Sequence, residues 1–448
     1  MVNKIKSILK KIIPAKFFFL YHFLWSFFSA LFYRFPGKKI PHIIGITGTK
    51  GKTTTAELIY SLCQDENEKV ALSSSLEFRI GKEIIPNNFK MTMPGRGFLQ
   101  KFLAKAKKEK SQIVIIEVTS EGILQAREKF IDFDIKVFLN LSFEHLERHK
   151  GFSNYKKTKG KFFQGRNDNF HIINLDDQEA EYFLSFKAKK IVGFSLFENN
   201  PLKDKVDIFL LAKNYQFSEK ETKFVLVVNG QKEGEFCSPL TGEFNLYNTL
   251  AAIAVTLTLG KEKEKIKEKL KNLSPPVGRF EIIKKNHLQI IIDYAHTPDS
   301  LKATLKTIKE VLKPDYLVSL TGAAGGGRDK WKRKEIGRIA SLFSDSIILT
   351  NEDPYDEDPE EIIEEIYQGI PLAKREKVEK ILDRKEAIKR GLELIKKKPG
   401  KNIFAIFGKG GERWLCLKNG KKIPWSDKKI VLSFLTNKMY YPINSVTK

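Results

Sequence analysis

At 448 residues, with 42% hydrophobic and 30% charged side chains, the chain is too long for one ordinary domain and too apolar to be disordered. Three cysteines, Cys63, Cys237 and Cys416, lie far apart without paired spacing, which excludes a disulfide framework or zinc ribbon and fits a reducing cytosol. A formal charge of +25 raises nucleic acid as a partner, but the lysines run along the whole chain and no nucleic-acid module is present; a general lysine bias, or attraction to anionic substrates or an anionic membrane face, accounts for them.

Residues 1–40 stand apart. They hold eight Lys or Arg, no Asp or Glu, and an uncharged run over 17–33. That run is slightly short for a spanning helix, and no small-residue cleavage site follows it. An interfacial helix on an anionic inner leaflet, or an apolar helix packed on the first domain, fits better than a span.

Residues 43–55 read IIGITGTKGKTTT: a short apolar strand, a glycine-bearing turn and a helix start. Gly48 and Gly51 let backbone N–H groups close on a phosphate, flanked by Thr49, Lys50 and Thr54. Lys52 supplies a point charge and Thr53 a hydroxyl for Mg²⁺. The first glycine usual in such loops falls on Ile46. A nucleoside triphosphate is the expected ligand.

Beyond the loop helix (54–64), strand-like runs recur at 70–72, 113–118, 137–141 and 170–175, with a helix over 98–109. This alternation predicts a mostly parallel sheet covered on both faces. Short β runs over 206–237, turning at Asn229-Gly230, suggest a hairpin excursion, and a helix over 246–259 follows. Residues 274–278, SPPVG, read as a linker. Alternation then restarts, with strands at 289–293, 316–320, 346–349 and 402–407, and helices at 300–312, 334–343, 359–367 and 385–397. The expected fold class is α/β: a P-loop-type central domain (41–275) and a Rossmann-like C-terminal domain (276–448), behind the N-terminal segment 1–40.

Other segments carry chemistry. Glu117 ends an apolar strand, where a carboxylate beside triphosphate would hold Mg²⁺. Another strand ends in NLSFEHLERH (140–149), GEFNLYN (242–248) opens a helix, and DYAHTP (293–298) follows a strand in the second half.

In order, TGTKGKTTT, EVTSEGILQAR, NLSFEHLERH, GEFNLYN, GRFE, DYAHTPDS, GAAGGGRDKWKR, DRKEAI and GKGGE resemble the Mur ligase family, ATP-dependent amide-bond-forming enzymes of peptidoglycan synthesis. The likeness covers about 41–430 and is greatest to the branch adding the third stem-peptide residue. It implies ATP and Mg²⁺ as cofactors, and a UDP-N-acetylmuramoyl-peptide and a free amino acid as substrates, in a cytoplasmic monomer.

The resemblance implies roles residue by residue. Lys52 and Thr53 would take the β/γ-phosphates and Mg²⁺, and Glu117 and His145 would hold metal. Lys159 matches a lysine that becomes carbamylated and binds metal. Asn245 and Asp293 would contact adenine and ribose, with Arg279 near the phosphates. Thr92, Met93, Thr119, Gln125 and Arg127 match positions holding the UDP-sugar-peptide. Gly408 falls in a substrate-binding segment, and Arg328 and Glu412 match positions for the incoming amino acid. Diaminopimelate-using members carry Asp-Asn-Pro-Arg, whose arginine clamps the distal carboxylate; here Glu352, Asp353, Pro354 and Tyr355 replace it. A side chain ending in a cation, such as lysine or ornithine, is therefore expected, unless the two acids merely cap the following helix.

Other departures are Lys50 where Asn or Asp is usual, Glu121 where His is common, and Glu144 and Glu147 for aspartates. The family's N-terminal uridine-binding domain is replaced by residues 1–40. A ligase acting on a lipid-linked or poly-γ-glutamate acceptor, or a membrane-associated nucleotide-binding scaffold, are the alternative readings.

Overall fold

Ile43, Ile44 and Ile46 are fully buried, so strand His42–Thr47 (β1) meets apolar neighbours on both faces, as in the interior of a parallel sheet. The computed structural model describes residues 15–436 apart from 67, 90, 96, 145 and 328; the expected roles of His145 and Arg328 fall outside the described residues.

The described residues open on helix Ala15–Phe32 (α1), and β1 leads through the glycine loop into helix Lys52–Cys63 (α2). Strands Val70–Ser73 (β2), Glu77–Ile80 (β3) and Glu83–Pro86 (β4) precede helix Phe98–Lys108 (α3). Strand Ile113–Glu117 (β5), short helix Ser120–Leu124 (α4), strand Ile135–Phe138 (β6) and helix Phe152–Phe163 (α5) follow. Strands Phe170–Asn174 (β7), Lys190–Ser195 (β8), Ile208–Phe217 (β9), Thr222–Val228 (β10) and Gln231–Ser238 (β11) complete the first sheet. Its order is β11-β10-β9-β8-β7-β6-β1-β5-β2-β3-β4, parallel from β9 to β2.

Both ends of this sheet are antiparallel extensions. The expected excursion near 229 is thus a three-strand meander continuing the main sheet, with Asn229 and Gly230 both at positive φ as a tight hairpin turn requires. On one face, helix Glu243–Thr258 (α6) packs with α2 over Ile44, Ile46, Ile113 and Ile115. On the other, α3 and α5 cover Ile43, Val114 and Ile116. Fully buried runs in β1 and β5 follow from this two-sided cover.

After the linker, strands Glu281–Lys285 (β12) and Leu288–Asp293 (β13) form an antiparallel pair. Helix Pro298–Thr307 (α7), strand Tyr316–Thr321 (β14), helix Trp331–Phe343 (α8) and strand Ser346–Leu349 (β15) follow. Helix Pro359–Gln368 (α9), strand Val378–Lys380 (β16), helix Arg384–Lys396 (α10), strand Asn402–Phe407 (β17) and helix Asp427–Thr436 (α11) end the described chain. The second sheet runs β12-β13-β17-β14-β15-β16, parallel except for β12. The helix expected over 300–312 starts earlier, because Thr297 caps it in a capping box with Ser300 and Pro298 takes the first helical position. It passes into a π-helical turn, Ile308–Leu312, that ends at Lys313 in the left-handed region. Helix α9 is capped by Asp358, not by Glu352 or Asp353. Among the described residues no helix is long and apolar enough to cross a membrane.

Candidate active site

Ile46 of β1 lies opposite Glu117 of β5, and β1 has β5 on one side and β6 on the other. The chain reverses direction across the sheet here, so a crevice opens at the carboxyl ends of these strands. The glycine loop sits in it. Gly51 has φ 84°, and a Cβ there would stand 2.2 Å from Asn248 Oδ1, so only glycine closes this turn. Thr49 N donates to Asn140 O at 2.9 Å, and Lys50 N to Asn140 Oδ1 at 2.8 Å, which ties the loop to the end of β6. No side chain caps α2, leaving its first N–H groups for an anion.

The crevice widens into a cavity of about 970 Å³ lined by both α/β units. Thr49, Lys50, Gly51, Lys52, Thr53, Thr54 and Glu117 face Arg279, Asp293, Tyr294, His296, Asp329 and Lys332 across it. Lys52 Nζ donates to the carbonyls of Gly48 (2.8 Å) and Thr49 (3.0 Å). Glu117 accepts from Thr53 Oγ1 at 3.2 Å and from Ser75 N at 2.8 Å. The Thr53 and Ser75 hydroxyls lie 2.6 Å apart. Burial pulls the Lys52 ammonium below its usual range and pushes the Glu117 carboxyl above it, each group's charge opposing the other's shift.

Lys159 sits beneath the loop. It is 1% exposed, and its Nζ donates to Gly48 O at 2.9 Å and Thr47 Oγ1 at 3.3 Å. Burial, then the nearby Lys52 charge, holds its pKa well below the usual lysine range.

Asn245 and Asn248 line the cleft and are joined at 3.3 Å, and the Asn245 amide also donates to Thr241 O at 2.9 Å. The Asp293 carboxylate accepts from Phe280 N (2.7 Å) and Ala295 N (2.8 Å), so it also fixes the turn after β13. Arg279 crosses between the units: it stacks on Tyr294 at 4.1 Å and donates to Thr53 Oγ1 at 3.4 Å. His296 Nε2 lies 3.1 Å from Glu144 Oε1, which also takes Lys50 Nζ at 3.1 Å. The departures at Lys50 and Glu144 thus form an ion pair.

Thr92, Met93, Thr119 and Arg127 line the same cavity. Gln125 does not; it accepts from Arg127 Nη2 at 2.5 Å, while Arg127 Nη1 donates to Met93 O. Gln125 therefore orients Arg127 from behind. Glu121 pairs with Arg148. Thr119 caps α4, accepting from Gly122 N at 3.1 Å.

The segment 352–355 is divided. Tyr355 lines the cavity, whereas Glu352, Asp353, Pro354 and Gly408 are buried off its wall. Asp353 accepts from Lys409 Nζ (3.0 Å) and Cys416 N (2.7 Å). Glu352 Oε2 has no hydrogen-bond partner among the described residues. Glu412 lines a small adjoining recess with Ser75, Arg279 and Tyr294; it accepts from Lys409 Nζ at 2.5 Å and Tyr294 Oη at 3.4 Å.

Ser75, His296 and Tyr155 (Oη 3.1 Å from Thr49 Oγ1) belong to this constellation without having been singled out from the sequence. A serine just past an apolar run aimed at the same sheet end was the available signal for Ser75.

Two family models match the chain: the Mur ligase middle domain over residues 46–256 and the Mur ligase, glutamate ligase domain over 278–410. A UDP-N-acetylmuramoyl-L-alanyl-D-glutamate–2,6-diaminopimelate ligase from Aquifex aeolicus is 35% identical over 404 residues, 90% of this chain and 79% of the relative. A UDP-N-acetylmuramyl-tripeptide synthetase from Treponema denticola is 35% identical, over 89% of this chain and 77% of the relative. A solved diaminopimelate ligase of the same description superposes with TM-score 0.59 at 30% identity, over 90% of this chain and 80% of that one.

Proposed function

The chain belongs to the Mur ligase family and is an ATP-dependent ligase of peptidoglycan synthesis; from that premise we propose that it adds the third stem-peptide amino acid to UDP-N-acetylmuramoyl-L-alanyl-D-glutamate. One observation carries the reading: Lys52, Thr53, Ser75, Glu117 and Arg279 gather at one end of a cleft whose other walls hold Arg127 and Tyr355.

The chemistry needs that arrangement. A carboxylate acylates poorly, so its oxygen first takes the γ-phosphoryl of ATP to give an acyl phosphate. The amine then attacks the carbonyl carbon, a tetrahedral adduct forms, and phosphate leaves with the oxygen it took. Bringing a carboxylate to a polyphosphate opposes like charges, which Lys52 and Arg279 offset. Thr53, Ser75 and Glu117 present only oxygen donors, the set suited to Mg²⁺, and the ion bound there would screen the phosphates. Asn245 and Asp293 stand where the adenosine would lie, and Arg127, with Thr92, Met93 and Thr119, where the acceptor's anionic groups would.

Burial favours the neutral amine of Lys159 over its ammonium. Such an amine adds CO₂ to give a carbamate and a proton, turning a buried cation into an oxygen donor beside the metal ligands. For the amino acid, Tyr355 offers a phenol where diaminopimelate-using members present arginine, with Glu352 and Asp353 behind it. A distal carboxylate would then go unpaired at the cavity wall, while a distal ammonium would face the phenol with the buried Glu352 carboxyl behind it. Lysine or ornithine is therefore the favoured amino acid. ATP and a UDP-linked acceptor place the reaction in the cytoplasm.

The test is product mass after incubation with ATP, Mg²⁺, UDP-N-acetylmuramoyl-L-alanyl-D-glutamate and one of lysine, ornithine or diaminopimelate. A tripeptide product with lysine or ornithine supports the reading. Product with diaminopimelate alone removes the amino-acid assignment, and none with any of them removes the acceptor.

A further inference from the structure

Helix α1 is apolar on two opposite sides. Phe23, Phe27 and Ala30 form the inner side: the Phe23 and Phe27 rings pack against Phe130, tilted and edge-on, at 5.2 and 5.5 Å, and Ala30 is fully buried. Ser29 passes so close to Gly97 that a Cβ there would stand 2.1 Å from its hydroxyl. The helix is therefore fixed to the protein by one stripe. Tyr21, Leu24, Trp25, Phe28, Leu31 and Phe32 form the other, with Trp25 49%, Phe28 57% and Phe32 79% exposed.

Isolated apolar side chains on a surface need no explanation, but a contiguous stripe of this size marks an interaction site. A helix apolar on all sides belongs in a core or against a bilayer, and here one side alone has protein cover among the described residues. Charge decides what covers the other. The first forty residues carry eight Lys or Arg and no acid, and Arg34, Lys38 and Lys39 stand exposed at the foot of the helix. A second copy of the same segment would bring like charges together, whereas anionic headgroups would neutralise them. Tyr21 and Trp25 are residues that settle at headgroup depth.

We infer that α1 seats the enzyme on the anionic surface of a bilayer, lying in the headgroup plane with Trp25, Phe28 and Phe32 directed into the lipid and Phe23 and Phe27 holding the first domain beneath it. Apolar burial and basic charge supply the two signals that stable peripheral attachment requires. The inference stands on the helix and not on the ligase assignment.

Flotation of the full chain with vesicles tests it, using phosphatidylcholine alone and phosphatidylcholine with about one-third phosphatidylglycerol, at low and high salt. The wild type should float with the anionic vesicles, and binding should fall several-fold on raising NaCl from about 0.1 to 0.5 M. The double substitution Trp25→Glu, Phe28→Glu should weaken binding at least about tenfold while Tm and activity on a water-soluble acceptor stay unchanged. No flotation of the wild type, or equal flotation with neutral and anionic vesicles, overturns the inference independently of how the variant folds. So does a salt-stable dimer by size exclusion that the double substitution dissociates without changing flotation.

Discussion

Lys52 and Lys159 donate to the same carbonyl oxygen, that of Gly48, at 2.8 and 2.9 Å. Two buried ammonium groups sharing one acceptor repel, and burial disfavours both charges, which lowers the pKa of Lys52 and holds that of Lys159 well below the usual lysine range. Lys159→Ala should lower kcat by about 10²-fold or more with little change in Tm. Added formate or acetate should restore part of the rate by filling the carbamate's place. Lys52→Ala should lose activity as severely and show no such rescue. Steady-state rates with and without the small acids measure the difference.

The wild-type rate should also depend on CO₂. Because carbamate forms from the neutral amine, depleting dissolved CO₂ or lowering the pH should reduce activity, and bicarbonate at higher pH should restore it. A rate indifferent to CO₂ across the pH range would leave Lys159 as a buried structural lysine.

Ser75 touches two oxygen donors of the cleft, Thr53 of α2 at 2.6 Å and Glu117 of β5 at 3.2 Å. Ser75→Ala should raise the Mg²⁺ concentration needed for half-maximal rate about 10-fold, leaving KM for the amino acid unchanged. A Mg²⁺ titration of the two proteins decides this. An unshifted titration with reduced Tm would make Ser75 a packing residue only.

Tyr355 is the cavity-facing member of its segment. Tyr355→Arg should move the kcat/KM ratio toward diaminopimelate by about 10–100-fold, the worth of one charge-assisted hydrogen bond. Competition between lysine and diaminopimelate, read by mass, reports the ratio. No movement would place the determinant elsewhere.

Glu128 tests the electrostatics of the first domain away from the cleft. Both carboxyl oxygens are buried without hydrogen bonds, the Lys129 ammonium is 3.6 Å away, and burial raises the pKa to about 7 from 4.5. The folded state binds this proton more tightly than the unfolded chain, so stability falls as the pH climbs from about 4.5 through 7. Glu128→Gln should therefore raise Tm at pH 8, by up to about 3 kcal/mol of stability, and change it little at pH 4.5. Melting curves at both pH values check the sign.

What could be read from the chain follows from how local each signal is. The loop after β1 declares itself within thirteen consecutive residues, and β1, β5 and β17 are apolar between their end residues because both faces are covered. The hairpin of β3 and β4 is four residues per strand with Ile84 and Ile85 exposed, too short and too mixed to show a period. Asp353 is harder still. Lys409 and Cys416, more than fifty residues on, enclose it, and no local pattern foretells that. The same holds for Arg384, which lies in the segment DRKEAI. It makes a two-pronged bond to Asp427 at 2.8 and 3.0 Å with both side chains wholly buried, binding α10 to α11. Ser75 joins the site only because β2 lies beside β5, a pairing set by the sheet and not by the sequence around it.

One chemical event underlies the proposed function, transfer of the γ-phosphoryl of ATP onto the acceptor's carboxylate before the amine arrives. The direct measurement uses UDP-N-acetylmuramoyl-L-alanyl-D-glutamate labelled with ¹⁸O in the carboxylate to be joined, and mass analysis of the released phosphate. One ¹⁸O atom in each phosphate, with ADP as the other product, is the predicted result. Unlabelled phosphate from a reaction that still forms the amide bond would contradict it.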